Sequence, residues 1–103
     1  MITAENLNEF VAAVNAMLAD ANKGRNFGYV VSASVGKKYA KIIKSNIHNG
    51  VVTDIRSAFC FVDMETGTIL KAASWATPAK GARGNIANGA ADLTQYGAVY
   101  LRG

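Results

Sequence analysis

The segment "YAKIIKSNIHNGVVTDIRSAFCFVD", residues 39 to 63, holds the reading on which the fold turns. Asn49-Gly50 lies between two runs rich in β-branched and aromatic residues. A type I′ turn needs positive φ at both central residues, and Asn-Gly accepts this at little cost, so the segment reads as a β-hairpin. Strands are expected over 39–47 and 51–63, the second long enough to bend or bulge near its middle. The two-residue loop implies a register: His48 opposite Val51, Ile43 opposite Arg56, Tyr39 opposite Cys60. Tyr39, Lys41, Ile43 and Ile47 then share a face with Val52, Arg56 and Cys60. Ile42, Lys44, Ile55 and Phe59 share the other. Neither face is purely apolar. One is expected to pack on a helix, and the other to be a mixed surface of aliphatic residues and cations.

Working outward toward the N-terminus, "FGYVVSASV" (27–35) also has period two and reads as a strand, joined to the hairpin by a short turn at "GKK". Residues 4 to 22 step differently. Leu7, Phe10, Val11, Val14, Met17, Leu18 and Ala21 are spaced by three and four, the pattern of one helical face. Thr3 is the expected N-cap, and Lys23-Gly24 the expected stop. Toward the C-terminus, "METG" (64–67) reads as a turn and "TILKAASW" (68–75) as a fourth strand. Thr77-Pro78 fits the start of a helical turn, with Thr as cap and Pro at the first helical position. Residues 76–95 are expected to be irregular or partly helical and to cover a sheet edge, before a last strand over 96–103. The fold expected is α+β in a single domain over 1–103: an N-terminal amphipathic helix packed across an antiparallel meander of four or five strands.

Composition sets the bounds on function. Half of the 103 residues are hydrophobic and 17% are charged, which suits a folded domain with its own core. One cysteine permits no internal disulfide. The N-terminal stretch is acidic with no cleavage pattern, and no apolar run approaches a membrane span, so a cytoplasmic location off the membrane is expected. The net charge of +4 permits binding to nucleic acid or to an acidic protein without demanding either.

Catalytic chemistry finds little support. His48 is the only histidine and abuts the turn, far along the hairpin from Cys60, which lies between two phenylalanines and reads as core. The acids show no metal-binding spacing, and no Gly-rich phosphate loop is present, so no catalytic residue, metal or cofactor is expected. The cations are more suggestive. They group as Lys23 with Arg25, as Lys37, Lys38, Lys41 and Lys44 on the first hairpin, and as Lys71, Lys80 and Arg83. Aromatic residues among them offer stacking faces, as single-stranded nucleic acid requires. Lys41, Lys44, Lys71, Trp75, Lys80 and Arg83 are the candidate binding residues. The plain alternative is that the aromatics build the core and the lysines keep the protein soluble.

The stretch "FCFVDMETGTILKAASWATPAKGARGNI", with "YGAVYLRG" after it, resembles a block shared by small tailed-bacteriophage proteins: "CFVD…TG..LKAASW..PAK.ARGNI…YG..YLR". The likeness covers Phe59 to Arg102 and departs slightly at "METGTI". It implies a phage origin and expression in a host cytoplasm, and it supplies no catalytic residues. The function expected is therefore a non-enzymatic accessory protein that binds a host or phage macromolecule and acts as a modulator or inhibitor. A module binding single-stranded nucleic acid is the alternative, and a small enzyme the least supported. A free sheet edge or a partly apolar outer face offers a route to homo-oligomers.

Overall fold

The structure, a computed structural model, describes residues 1–94 and, as backbone, residues 97 and 98. A helix α1 (Ala4–Ala21) is followed by strands β1 (Phe27–Val35), β2 (Tyr39–His48), β3 (Val51–Asp63), β4 (Thr68–Ala72) and β5 (Pro78–Asn85). These five form one antiparallel sheet in sequence order. A 3-10 turn (Ile86–Asn88) and a two-stranded pair, β6 (Leu93–Thr94) with β7 (Gly97–Ala98), complete the described chain. The fold is α+β, a helix on an antiparallel meander. Most of the strand expected over 96–103 lies outside the described residues.

The helix starts where its capping chemistry places it. The Thr3 hydroxyl accepts from the Asn6 N–H at 3.1 Å, and the Asn6 side chain accepts from the Thr3 N–H at 3.1 Å. That reciprocal box satisfies two donors that the first turn would otherwise orphan. At the far end Asn22 is the cap, its side-chain amide donates to the Leu18 carbonyl at 2.9 Å, and Gly24 of the expected stop takes φ 80°. Leu7, Phe10, Val14 and Leu18 form the buried stripe. They pack on Val31, Ala40, Ile42, Cys60, Val62 and Ile69, with Ile86 and Leu93 closing one side of the same core. Each large aliphatic or aromatic side chain buried there contributes about 1.5–3 kcal/mol.

One side chain ties the helix to the sheet by hydrogen bonds. Asn15 accepts from the Val31 N–H at 2.8 Å and donates to the Val31 carbonyl at 3.1 Å. Its amide occupies the place that a neighbouring strand would take. The outer edge of β1 is therefore satisfied at its middle.

The hairpin turn forms as expected, with Asn49 at φ 51° and Gly50 at φ 80°. His48 faces Val51 and Ile47 faces Val52. Beyond that point the expected register fails. Ser45 faces Arg56, Ile43 faces Ala58 and Tyr39 faces Asp63, so β3 has gained two residues on β2 and then a third. The first gain falls at residues 53–55. There the Thr53 hydroxyl donates to the Asn46 carbonyl at 3.2 Å and accepts from the Ile55 N–H at 3.2 Å. The second gain leaves Phe59 without a partner on β2. Its cause is burial: Phe59, Cys60, Phe61 and Val62 are all buried, and a regular strand shows only alternate residues to one face. Cys60 consequently pairs with Ile42 and joins its face, contrary to the expected grouping with Tyr39 and Lys41.

Within residues 76–95 a helical turn does form, at Ile86–Asn88, but residues 78–85 depart from expectation. β4 ends at Ala72, and Pro78 opens a strand instead of a helical turn. β5 is the sheet's last strand, and proline is tolerated at the first position of an edge strand because no ladder donor is needed there. Two irregularities break β5. Ala79, Lys80 and Gly81 stand against Lys71 alone, and Arg83 is an extra residue between Ala82 and Gly84. Lys80 and Arg83 are thus not neighbours on a helical turn.

The end of β5 is locked to the β3–β4 turn. Gly67, at φ 78°, accepts the Ile86 N–H on its carbonyl at 2.9 Å. The Asn85 side chain donates to the Thr66 carbonyl at 3.0 Å and caps the 3-10 turn by accepting from the Ala87 N–H at 2.9 Å. The Asp92 carboxylate takes the Asn85 N–H at 3.2 Å and the Asn88 amide at 3.1 Å. A Cβ at Gly84 would overlap that carboxylate, so the close approach requires glycine.

Replacing Asn15 by leucine keeps the branched shape and removes both bonds to Val31. Two part-buried backbone groups are then left unpaired, at an expected cost of about 2 kcal/mol. Urea denaturation should show a lower midpoint at unchanged slope, with faster exchange of the Val31 amide. An unchanged midpoint would show that the edge bond is dispensable.

Candidate functional site

The slipped register decides what the sheet presents on the face away from the helix. Lys41 of β2 faces Phe61 of β3, Phe61 faces Leu70 of β4, and Leu70 faces Ala82 of β5. This row crosses four strands. Tyr39, two residues from Lys41 and so on the same face, meets the Phe61 ring edge-on, with centroids 6.4 Å apart and planes at 81°.

Trp75 reaches this row from the β4–β5 connection. The connection is pinned by the Thr77 carbonyl, which accepts from the N–H groups of Ala73 (2.9 Å) and Ser74 (3.1 Å). The Lys41 Nζ stands 4.0 Å from the centre of the indole ring. A cation over an exposed ring is worth about 0.5–1 kcal/mol. Trp75 remains 47% exposed, so much of the indole is free to meet a ligand. Lys38 lies over the Tyr39 ring at 5.3 Å. Lys38, Tyr39, Lys41 and Phe61, together with Ser34, Lys37 and Ala76, line an open depression of about 310 Å³, and Trp75 flanks it through its contact with Lys41. Lys37, Lys38 and Lys41 give it a positive field. Asp63, opposite Tyr39, is committed elsewhere: its carboxylate accepts the N–H groups of Glu65 (2.8 Å) and Thr66 (3.3 Å) and so shapes the following turn.

The six residues expected to bind do not form one site. Lys41 and Trp75 are brought into contact. Lys71 and Lys80 are both exposed and lie across β4 and β5 from one another, where β5 bulges. Arg83 is half-buried one rung further along. Lys44 is on the other face of the sheet. Its ammonium lies over Tyr29 at 4.4 Å and near Phe59 at 5.7 Å, and burial lowers its pKa below the usual lysine value. Phe61 was absent from the expected set because its place beside Lys41 depends on the bulges. Lys37, Lys38 and Tyr39 were legible as a basic, aromatic cluster, but not as the rim of a depression.

The remaining reactive groups are placed away from this patch. His48 is exposed beside the turn, and Cys60 is buried opposite Ile42, so the two do not meet. Among the described residues no three His, Cys, Asp or Glu side chains converge on a point. A second cleft of about 440 Å³, between the helix start and the 3-10 turn, has Glu9 as its only charged lining residue and offers an anion nothing. Among the described residues no helix is long and apolar enough to cross a membrane.

Residues 2–96 match the model of a family of unknown function, DUF7717, and the chain belongs to that family. The match runs from before the helix to beyond β6, so it takes in the whole sheet. No curated protein and no solved structure matches the chain.

Burial pushes the Cys60 thiol up to about 12. The folded state thus holds it protonated, while the unfolded thiol ionises near its ordinary value of 9.0. The stabilisation is complete below that value and is lost as pH rises through it toward the folded pKa. Two results are expected. The native thiol should resist a disulfide reagent at neutral pH and react only on unfolding. Stability should fall above about pH 9, with a shallower slope in Cys60→Ala. Rapid labelling of the native protein would contradict the burial.

Proposed function

We propose that this member of a family of unknown function is a small phage accessory protein that works by binding rather than catalysis. Its ligand is a segment of single-stranded nucleic acid held on the outer sheet face, in the host cytoplasm. The Lys41–Trp75 contact beside Lys37, Lys38 and Tyr39 carries this reading. Phosphates need mobile cations, and unpaired bases need ring faces. The patch supplies both, the lysines around the depression and the indole beside it in contact with Lys41. On binding, a base stacks on the indole in place of the Lys41 ammonium, which moves to an adjacent phosphate. Stacking on such a ring is worth about 1–3 kcal/mol per base. The lysines act through phosphate and carry no sequence code, so the preference is for single strands rather than for one sequence.

An acidic host or phage protein is the second reading. It is favoured by Val35, which is 63% exposed on the rim of the same depression and would add apolar contact to the lysine pairs.

Trp75 is the only tryptophan, so its fluorescence reports on the patch directly. Titration with a short oligothymidylate at low salt should quench it. The affinity should fall as salt rises, with a logarithmic slope of about −0.7 for each phosphate contact. Replacing Lys37, Lys38 and Lys41 by glutamine should flatten that slope. Trp75→Ala should weaken binding by about tenfold or more, read by anisotropy of a labelled strand. No binding to any single strand at low salt would remove the nucleic-acid reading.

A further inference from the structure

β4 pairs with β3 only at Phe61 and Val62. Among the described residues no strand pairs with the same side of β3 between Val51 and Ala58. This half of β3 stands clear of the core. Val51 is 65% exposed, Val52 56% and Ile55 65%. Ile55 also borders an apolar depression of about 470 Å³ that includes Phe27, Tyr29 and Ile47. An open edge with apolar side chains invites another strand, and its own residues specify which.

The backbone polarity of this edge follows from the ladder. Asn15 takes both polar groups of Val31, so those groups point away from β2. Val31 faces Lys44, and Lys44 faces Ser57. Alternation along an antiparallel ladder then turns the Lys44 groups toward β3 and the Ser57 groups toward β2. Arg56 and Ala58 therefore direct their N–H and C=O outward. The Ile55 N–H is already bonded to the Thr53 hydroxyl. A partner strand must accordingly bond at Arg56 and leave Ile55 at a position without ladder bonds.

We propose that the protein forms a homodimer in which the Val51–Ala58 edges of two copies pair antiparallel about a twofold axis at Ile55. That register sets Ile55 beside the partner's Ile55. It sets Asp54 opposite the partner's Arg56, and Arg56 opposite the partner's Asp54, so two cross-strand ion pairs form at the bonded positions. Thr53 then faces the partner's Ser57, and Val52 faces the partner's Ala58. The charge pattern selects this register. A shift of the axis to Asp54 puts Asp54 against the partner's Asp54, and a shift to Arg56 opposes two arginines. Like charges directly opposite on a sheet are destabilising, so both alternatives are disfavoured. The pairing is isologous and closes at two copies, because it consumes the edge it uses. It joins two five-stranded sheets into one.

Sedimentation equilibrium over a range of concentration tests the arrangement. The wild type should be a monomer–dimer system. Asp54→Arg alone and Arg56→Asp alone should each weaken the dimer by about tenfold or more, since each sets like charges opposite one another twice. The double variant carrying both changes restores opposite charges and should restore the dimer. Both side chains are exposed, so circular dichroism should show each variant folded. A wild type that stays monomeric at the highest soluble concentration would overturn the proposal. So would a dimer indifferent to the single reversals, or one that the double variant fails to restore.

Discussion

The burial of four consecutive residues, Phe59 to Val62, is the constraint on which the rest of this structure depends. A flat strand cannot hide two neighbours on one face. β3 therefore bulges at Phe59, which lets Phe59, Cys60 and Val62 all enter the core under the helix. Phe61 is left on the outer face, where Tyr39 and Leu70 cover it. Together with the two-residue gain at 53–55, that step decides what the outer face carries. The slip sets Lys41 beside Phe61, and Trp75 folds back to meet Lys41. Were the turn's register kept along the whole hairpin, Lys41 would stand opposite Ala58 with no aromatic partner on β3.

Elements written in local chemistry could be read from the chain alone. The Thr3 cap, the Leu7–Leu18 stripe and the Asn49-Gly50 turn each depend on residues a few positions apart, and each forms where local rules put it. What could not be read is written in long-range contacts. The register error began only past Ile47, where Thr53 closes a bulge through the Asn46 carbonyl. β5 was hidden for a related reason. Its residues are mostly small, with two glycines and a proline, and no period survives in "PAKGARGN". It becomes a strand because β4 needs a neighbour and Asp92 holds its end. Of the candidate site, residue types and the cluster at 37–41 were visible, but their meeting with Trp75 depended on tertiary packing.

The stretch from Phe59 to Ile86 divides into parts with different work. Gly67, Gly84, Asn85 and Ile86 belong to one lock between the β3–β4 turn and the end of β5. The lock explains "TG" and "GNI" entirely by folding: a positive φ, a close approach, a cap and a buried side chain. It does not explain Trp75. A large ring left half exposed forfeits much of the gain that burial would bring, and nothing in the turn at 73–77 needs an indole. Exposure of that kind is what a binding surface requires.

Geometry links the two ends of β3. A twofold axis at Ile55 that continues the sheet is normal to it, and such an axis keeps corresponding faces on the same side. Both Lys41–Trp75 patches would then lie on one surface of the joined sheets, each at the far end of its own β3 from the shared edge. One strand of nucleic acid crossing that surface would meet two stacking platforms in turn. The second contact is then made at the effective concentration set by the first, so affinity rises without any new chemistry in either copy. Self-pairing at the edge and ligand capture on the face would use opposite ends of the same strand. The bulges of β3 separate them, setting Phe61 beside Lys41 at one end and leaving the other end an open backbone.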